Sequence, residues 1–94
     1  MLDKVKQALR ISNTTFDTEL NDLIDAAKAD LVLSGILQSR ISAIDTDILI
    51  QRAVMVYCKC YFGIENPEYE RNLQAYNSLK NHLSLTAEYM EVGE

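Results

Sequence analysis

"DTDILIQRAVMVYCKCYFG", residues 45–63, satisfies two incompatible periodicities, and the choice between them sets the architecture of the chain. As a strand, Val54, Val56, Cys58, Cys60 and Phe62 would share one face, and the two thiols of "CKC" could share a metal. As a helix, residues i and i+2 diverge by about 200° and cannot. Length decides for the helix. Nothing from Asp47 to Phe62 signals a turn, whereas strands usually run about five or six residues. No other segment offers a convincing partner strand. Asp45 or Thr46 can cap the start, and Gly63 supplies the stop. Leu49, Ile50, Ala53, Val54, Val56, Tyr57, Cys60 and Tyr61 then cover an arc of roughly 160°. Gln51, Arg52 and Lys59 mark the remaining stripe, which also carries Ile48 and Met55. This is a central helix contacted on several sides.

Working outward, three more helical stretches appear. Residues 2–10 place Leu2, Val5 and Leu9 on one side, and "SNTT" breaks them off. Residues 16–34 repeat Leu20, Leu23, Ile24, Ala27 and Leu31 at helical spacing, with Asp22 and Asp25 opposite. Thr14 with Asp17 fits a capping box, Thr15 is an equally good cap, and Gly35 ends the helix. Val32 and Leu33 flank its polar face. The last helix opens at "ENPEYE", with Asn66 as N-cap and Pro67 at the first helical position. Tyr69, Leu73, Tyr76, Leu79 and Leu83 mark its inner face. Residues 36–46 read as an irregular link with room for one short helical turn, long for a helix connection in a small bundle. The expected fold is all-α: a small four-helix domain over residues 1–85, followed by an acidic C-terminal tail, residues 86–94, that is flexible or ordered by a partner.

The chain of 94 residues carries fourteen acids against nine bases, a net charge of −5. Nonspecific nucleic-acid affinity comes from clustered Lys and Arg, and here most bases are scattered singly. No apolar run reaches membrane-spanning length, the N-terminus lacks a signal pattern, and two cysteines are too few for a disulfide framework. A reducing cytoplasm is the expected place of synthesis.

No residues combine into a catalytic, cofactor or metal site. Cys60 falls inside the buried arc and Cys58 at its margin, so both read as small buried hydrophobes, and His82, the single histidine, reads as a surface residue. Asp22 and Asp25 read as a solvated face. A helix-turn-helix reader built on Arg71, Asn72 and Lys80 would present Glu68 and Glu70 to phosphate. What remains is apolar surface: Val32, Leu33, Ile48 and Met55, with Tyr89 and Met90 in the tail. The link and tail cover these groups within one subunit, or they are subunit contacts.

"ELNDLIDAAKADLVLSG" followed by "ILIQRAVMVYCKCYFGIENPEYERNLQAYNSLKNHLSL" resembles the small head–tail connector proteins of long-tailed phages and prophages, also called head-completion or adaptor proteins. The likeness lies in Asp22 to Leu31, Ile48 to Gly63 and Asn66 to Leu83, and extends over residues 1–85. It implies a non-enzymatic virion protein at the head–tail junction, present in the host cytoplasm during assembly. Such a subunit would form a ring on the portal, matching its twelvefold symmetry. The ring would extend the DNA channel without specific DNA binding and dock a later connector or tail-terminator protein. The resemblance brings no cofactor and no membrane contact. Read without it, the residues also fit a small helical DNA-binding regulator or a cytosolic protein-interaction module.

Overall fold

A computed structural model of the chain describes residues 1–63, 66–86 and 89. It is all-α, with five helices among the described residues: α1 (Leu2–Leu9), α2 (Asp17–Leu33), α3 (Gln38–Ser42), α4 (Ile48–Tyr61) and α5 (Tyr69–Ser84). The four longer helices are those the periodicity predicts. The fifth, α3, is a single helical turn in the link.

The stretch 45–63 is helical, and Asp47 begins it. Its Oδ1 accepts the N–H groups of Leu49 and Ile50 at 3.0 and 3.2 Å, so the cap falls one or two residues later than Thr46 or Asp45. The helix α4 lies against α5, α2 and α1. Phe16, just before α2, meets Phe62, just after α4, edge to face at 5.3 Å. Those two helices are therefore antiparallel. Tyr61 likewise meets Tyr69 at 5.8 Å, which makes α5 antiparallel to α4.

At the end of α2 the chain closes as a Schellman motif. Gly35 N–H donates to the Val32 carbonyl at 3.0 Å, and Ile36 N–H to the Leu31 carbonyl at 3.2 Å. Gly35 sits at φ +94°, where a side chain would be strained, and the Leu31 and Ile36 side chains are both in the core. This turn aims the link back across the bundle. Ile36, Ile41 and Ile44 are at most 5% exposed, so the link is a wall of the core rather than a surface tether.

That wall rotates the buried face of α4 relative to the sequence expectation. The helix buries Ile50, Gln51, Ala53, Val54, Cys58 and Cys60. The arc is displaced by about 50° toward Gln51 and Cys58. Gln51, expected on the polar stripe, is 7% exposed, and its Nε2 donates to the Ile44 carbonyl at 2.7 Å. Cys58, expected at the margin, belongs to the core cluster, whereas Leu49 and Tyr61, expected inside, are 39% and 42% exposed.

Two other expected caps are replaced. Phe16 occupies the N-cap of α2 with no side-chain hydrogen bond, and Thr14 contributes only its carbonyl, to Asp17 N–H at 3.2 Å. Asp17 is instead held by Lys6 of α1 at 2.8 Å. The last helix starts at Tyr69, not Pro67. Asn66 joins two helices: its Oδ1 accepts Glu68 N–H, and its Nδ2 donates to the carbonyls of Lys59 and Cys60 at the end of α4. An amide that reaches both helix ends serves the turn better than an N-cap alone, because it satisfies otherwise orphaned carbonyls.

Candidate interaction surfaces

Large apolar side chains left exposed among the described residues sort by position along the bundle. Val32 and Leu33 end α2, Ile48 and Leu49 begin α4, and Leu85 follows α5. With α4 antiparallel to its neighbours, these five lie at one end. Ser34 and Ser84 line one cleft, which confirms that the C-termini of α2 and α5 adjoin. Phe16, Tyr61 and Tyr69 lie at the other end, joined by the Phe16–Phe62 and Tyr61–Tyr69 ring contacts. One end is aliphatic and the other aromatic, separated by the roughly 20 Å rise of α4.

The aliphatic end is the more exposed. Leu33 is 86%, Leu85 76% and Ile48 75% exposed, while Val32 is 38%. Of the residues singled out in sequence, Leu33 and Ile48 stand furthest into solvent. Met55 is half-buried against the core, two turns along the face of α4 that bears Ile48. Tyr89 is 9% exposed and packs on its own chain. Its carbonyl accepts Leu37 N–H at 2.6 Å, and the Arg40 guanidinium stands 5.4 Å from the centre of its ring. Tyr89 also lines a cleft with Ile48 and Leu49. Packing of the described residues thus extends from the helices to Tyr89, whereas Met90 lies outside the described residues.

The aromatic end holds a cleft lined by Phe16, Glu19, Tyr61, Phe62 and Gly63. From it a run of rings continues inward along the α4–α5 seam: Tyr61 to Tyr57 at 4.7 Å and Tyr57 to Tyr76 at 5.1 Å. Edge and tilted contacts of this kind add to area burial, which rigidifies the seam behind the exposed rings. The run ends on a charged group. Tyr76 donates its hydroxyl to Asp30 of α2, and Lys80 reaches the same carboxylate at 3.1 Å. Burial first, and then the hydrogen bond to Asp30, hold the Tyr76 phenol far above its ordinary range. This tie between α2 and α5 was not singled out in the sequence. Asp30 and Lys80 stand 50 positions apart in the chain, which hides the pairing from local periodicity.

Chemistry at the thiols is suppressed. Burial pushes the Cys58 thiol up to about 12 and raises that of Cys60 as well. A thiol rather than a thiolate is a poor nucleophile and a poor metal ligand. Among the described residues no three His, Cys, Asp or Glu side chains converge as metal ligands, and no helix is long and apolar enough to cross a membrane.

Neither the curated proteins nor the solved structures contain a match to this chain. A family profile does match: that of the phage connector proteins, over residues 1–90 of 94. The matched span takes in all five helices and both apolar ends. The chain therefore belongs to the phage connector protein family, which gives it a structural connector role in the phage particle.

Proposed function

We propose that the protein forms a ring beneath the portal at the head–tail junction, extends the DNA channel there, and offers a docking surface to the next connector or to a tail-terminator protein. The observation that carries this reading is the sorting of exposed apolar side chains into two chemically different groups at opposite ends of one small subunit. A closed ring requires a heterologous interface, in which each copy uses two different patches. Leu33 and Ile48 would form the centre of one patch, with Val32 beside them. Met55 and Tyr89 would border it, and Met90, outside the described residues, is proposed as a contact from the sequence alone. On the portal the ring takes the portal's own twelvefold symmetry.

The mechanism is contact rather than chemistry. A subunit of net charge −5 lining a channel repels the phosphate backbone, so that the genome slides past without being gripped. Negative-stain microscopy of the purified protein with and without portal, alongside native mass, tests the proposal. Closed rings on the portal are expected. Particles that stay dimeric, ignore portal and bind duplex DNA would sink it.

A further inference from the structure

Tyr89 is held in a seat on its own chain, and the seat has three parts. Leu37, extended at φ −57° and ψ 131° ahead of α3, donates its N–H to the Tyr89 carbonyl at 2.6 Å. The Arg40 guanidinium stands 5.4 Å from the centre of the ring. Tyr89 also shares a cleft with Ala43, Thr46, Ile48 and Leu49. Main-chain pairing with a side-chain seat beside it is how an extended segment docks on another surface. The seat therefore fits a segment that bears an aromatic residue, and none of its three parts depends on which copy supplies that segment. Nor does one chain fill the site. The cleft beside Tyr89 stays open, with Ile48 75% and Leu49 39% exposed on its walls. Leu85, four residues before Tyr89, is 76% exposed where the chain leaves α5.

We infer that this seat is a docking site between copies: in the assembled ring, Tyr89 of one subunit occupies the seat of the next. The contact rests on the ring reading given above and names one pair of surfaces that would make it. Within a single chain, a short tether presents Tyr89 to its own seat at an effective concentration on the order of mM, so the internal contact prevails in dilute solution. Copies held side by side on a template reach comparable local concentrations. Exchange then sacrifices nothing, because the same hydrogen bond and ring packing form between chains. It gains apolar cover, since the copy that supplies Tyr89 brings its exposed Leu85 to within about 14 Å of the seat, beside the open cleft at Ile48 and Leu49. Each subunit gives one Tyr89 and offers one seat. These are two different surfaces, the heterologous contact that a closed series needs.

Cysteines at Ala43, on the cleft wall, and at Met90, next after Tyr89 in the chain, read the contact with the ring left in place. The native thiols are buried at Cys58 and Cys60, and wild type serves as the background. In dilute solution with a short bis-maleimide, the full-length double variant A43C/M90C should link within one chain. The single variants A43C and M90C, mixed on the portal, should give cross-linked dimer about tenfold above the same mixture in dilute solution and above either variant alone. Adding Y89F should leave that yield unchanged, because it keeps the ring and the backbone carbonyl, whereas Y89A should abolish it. Failure of the double variant to link internally overturns the seat. Mixed dimer that survives Y89A, or A43C linked to portal in place of M90C, overturns the second copy as the occupant. Rings on the portal without mixed dimer retire the exchange and leave the ring reading standing. Mixed dimer at high concentration without rings on the portal does the reverse, and the absence of both retires both.

Discussion

Between Ile50 and Cys58 the inward side of α4 disappears among α1, α2, α5 and the link, whereas Ile48, at the start of the same helix, stands 75% exposed. Ile48 and Ile50 are the same residue type two positions apart, and Ile50 is 0% exposed. Their separation of about 200° around the helix sends one into the core and the other outward. At the far end Tyr61, which points the same way as Ile50 by periodicity, is nevertheless 42% exposed because its neighbours there are a turn and another exposed tyrosine. Side-chain chemistry names the groups that seek burial. Position in the bundle decides which of them get it from their own chain and which are left for another.

The largest expected effect contrasts the two isoleucines. Ile50→Ala should destabilise by about 2–5 kcal/mol in denaturant unfolding, as a fully buried aliphatic truncation does. A loss well under 1 kcal/mol would mean that the middle of α4 is not the core. Next comes Gln51→Ala, which removes the donor to the Ile44 carbonyl and should cost about 1–3 kcal/mol by the same measurement. If the substitution is neutral, the link does not wall that flank of α4.

Alkaline pH probes the same interior without truncating it. Cys58 is raised from an ordinary 9.0 to about 12 when folded. Above pH 9 the unfolded chain loses this proton while the folded chain keeps it, so stability is whole below pH 9 and falls as pH rises toward 12. The slope for one such group is about 1.4 kcal/mol per pH unit. Thermal or urea unfolding between pH 8 and 11 should show a steeper decline in wild type than in Cys58→Ala. Parallel curves would place Cys58 outside the core. Because Cys58 and not Cys60 belongs to the core cluster, Cys58→Ala should also be the more destabilising of the two.

The ends should respond weakly in stability. Asp47→Ala removes the α4 cap and should cost about 1 kcal/mol. Ile48→Ala should stay within about 0.5 kcal/mol of wild type, as surface substitutions do. A cost approaching that of Ile50→Ala would erase the distinction between core and end.

Much of this was legible beforehand, and the reasons are local. The four long helices follow from apolar spacing, and Gly35 and Gly63 mark stops because the chain needs positive φ there. The apolar surplus at Val32, Leu33 and Ile48 was visible as residues that no single stripe could absorb. What escaped was whatever depended on a distant segment. Gln51 looks polar until the Ile44 carbonyl arrives beside it, and Asp30 looks solvated until Tyr76 and Lys80 reach it from another helix. Asn66 was recognised as a helix signal, but its double role needs both helix ends in place.

The amino-acid sequence by itself determined the helices, their stops and the presence of more apolar surface than one stripe can bury, because hydrogen bonding along a helix and its periodicity act over a few residues. Only the tertiary structure decided that Ile36, Ile41 and Ile44 form a wall and that the buried arc of α4 turns toward Gln51 and Cys58. It alone gathered the exposed groups into an aliphatic end and an aromatic end. Those outcomes depend on antiparallel neighbours meeting across long stretches of chain, a relation set by packing rather than by local sequence.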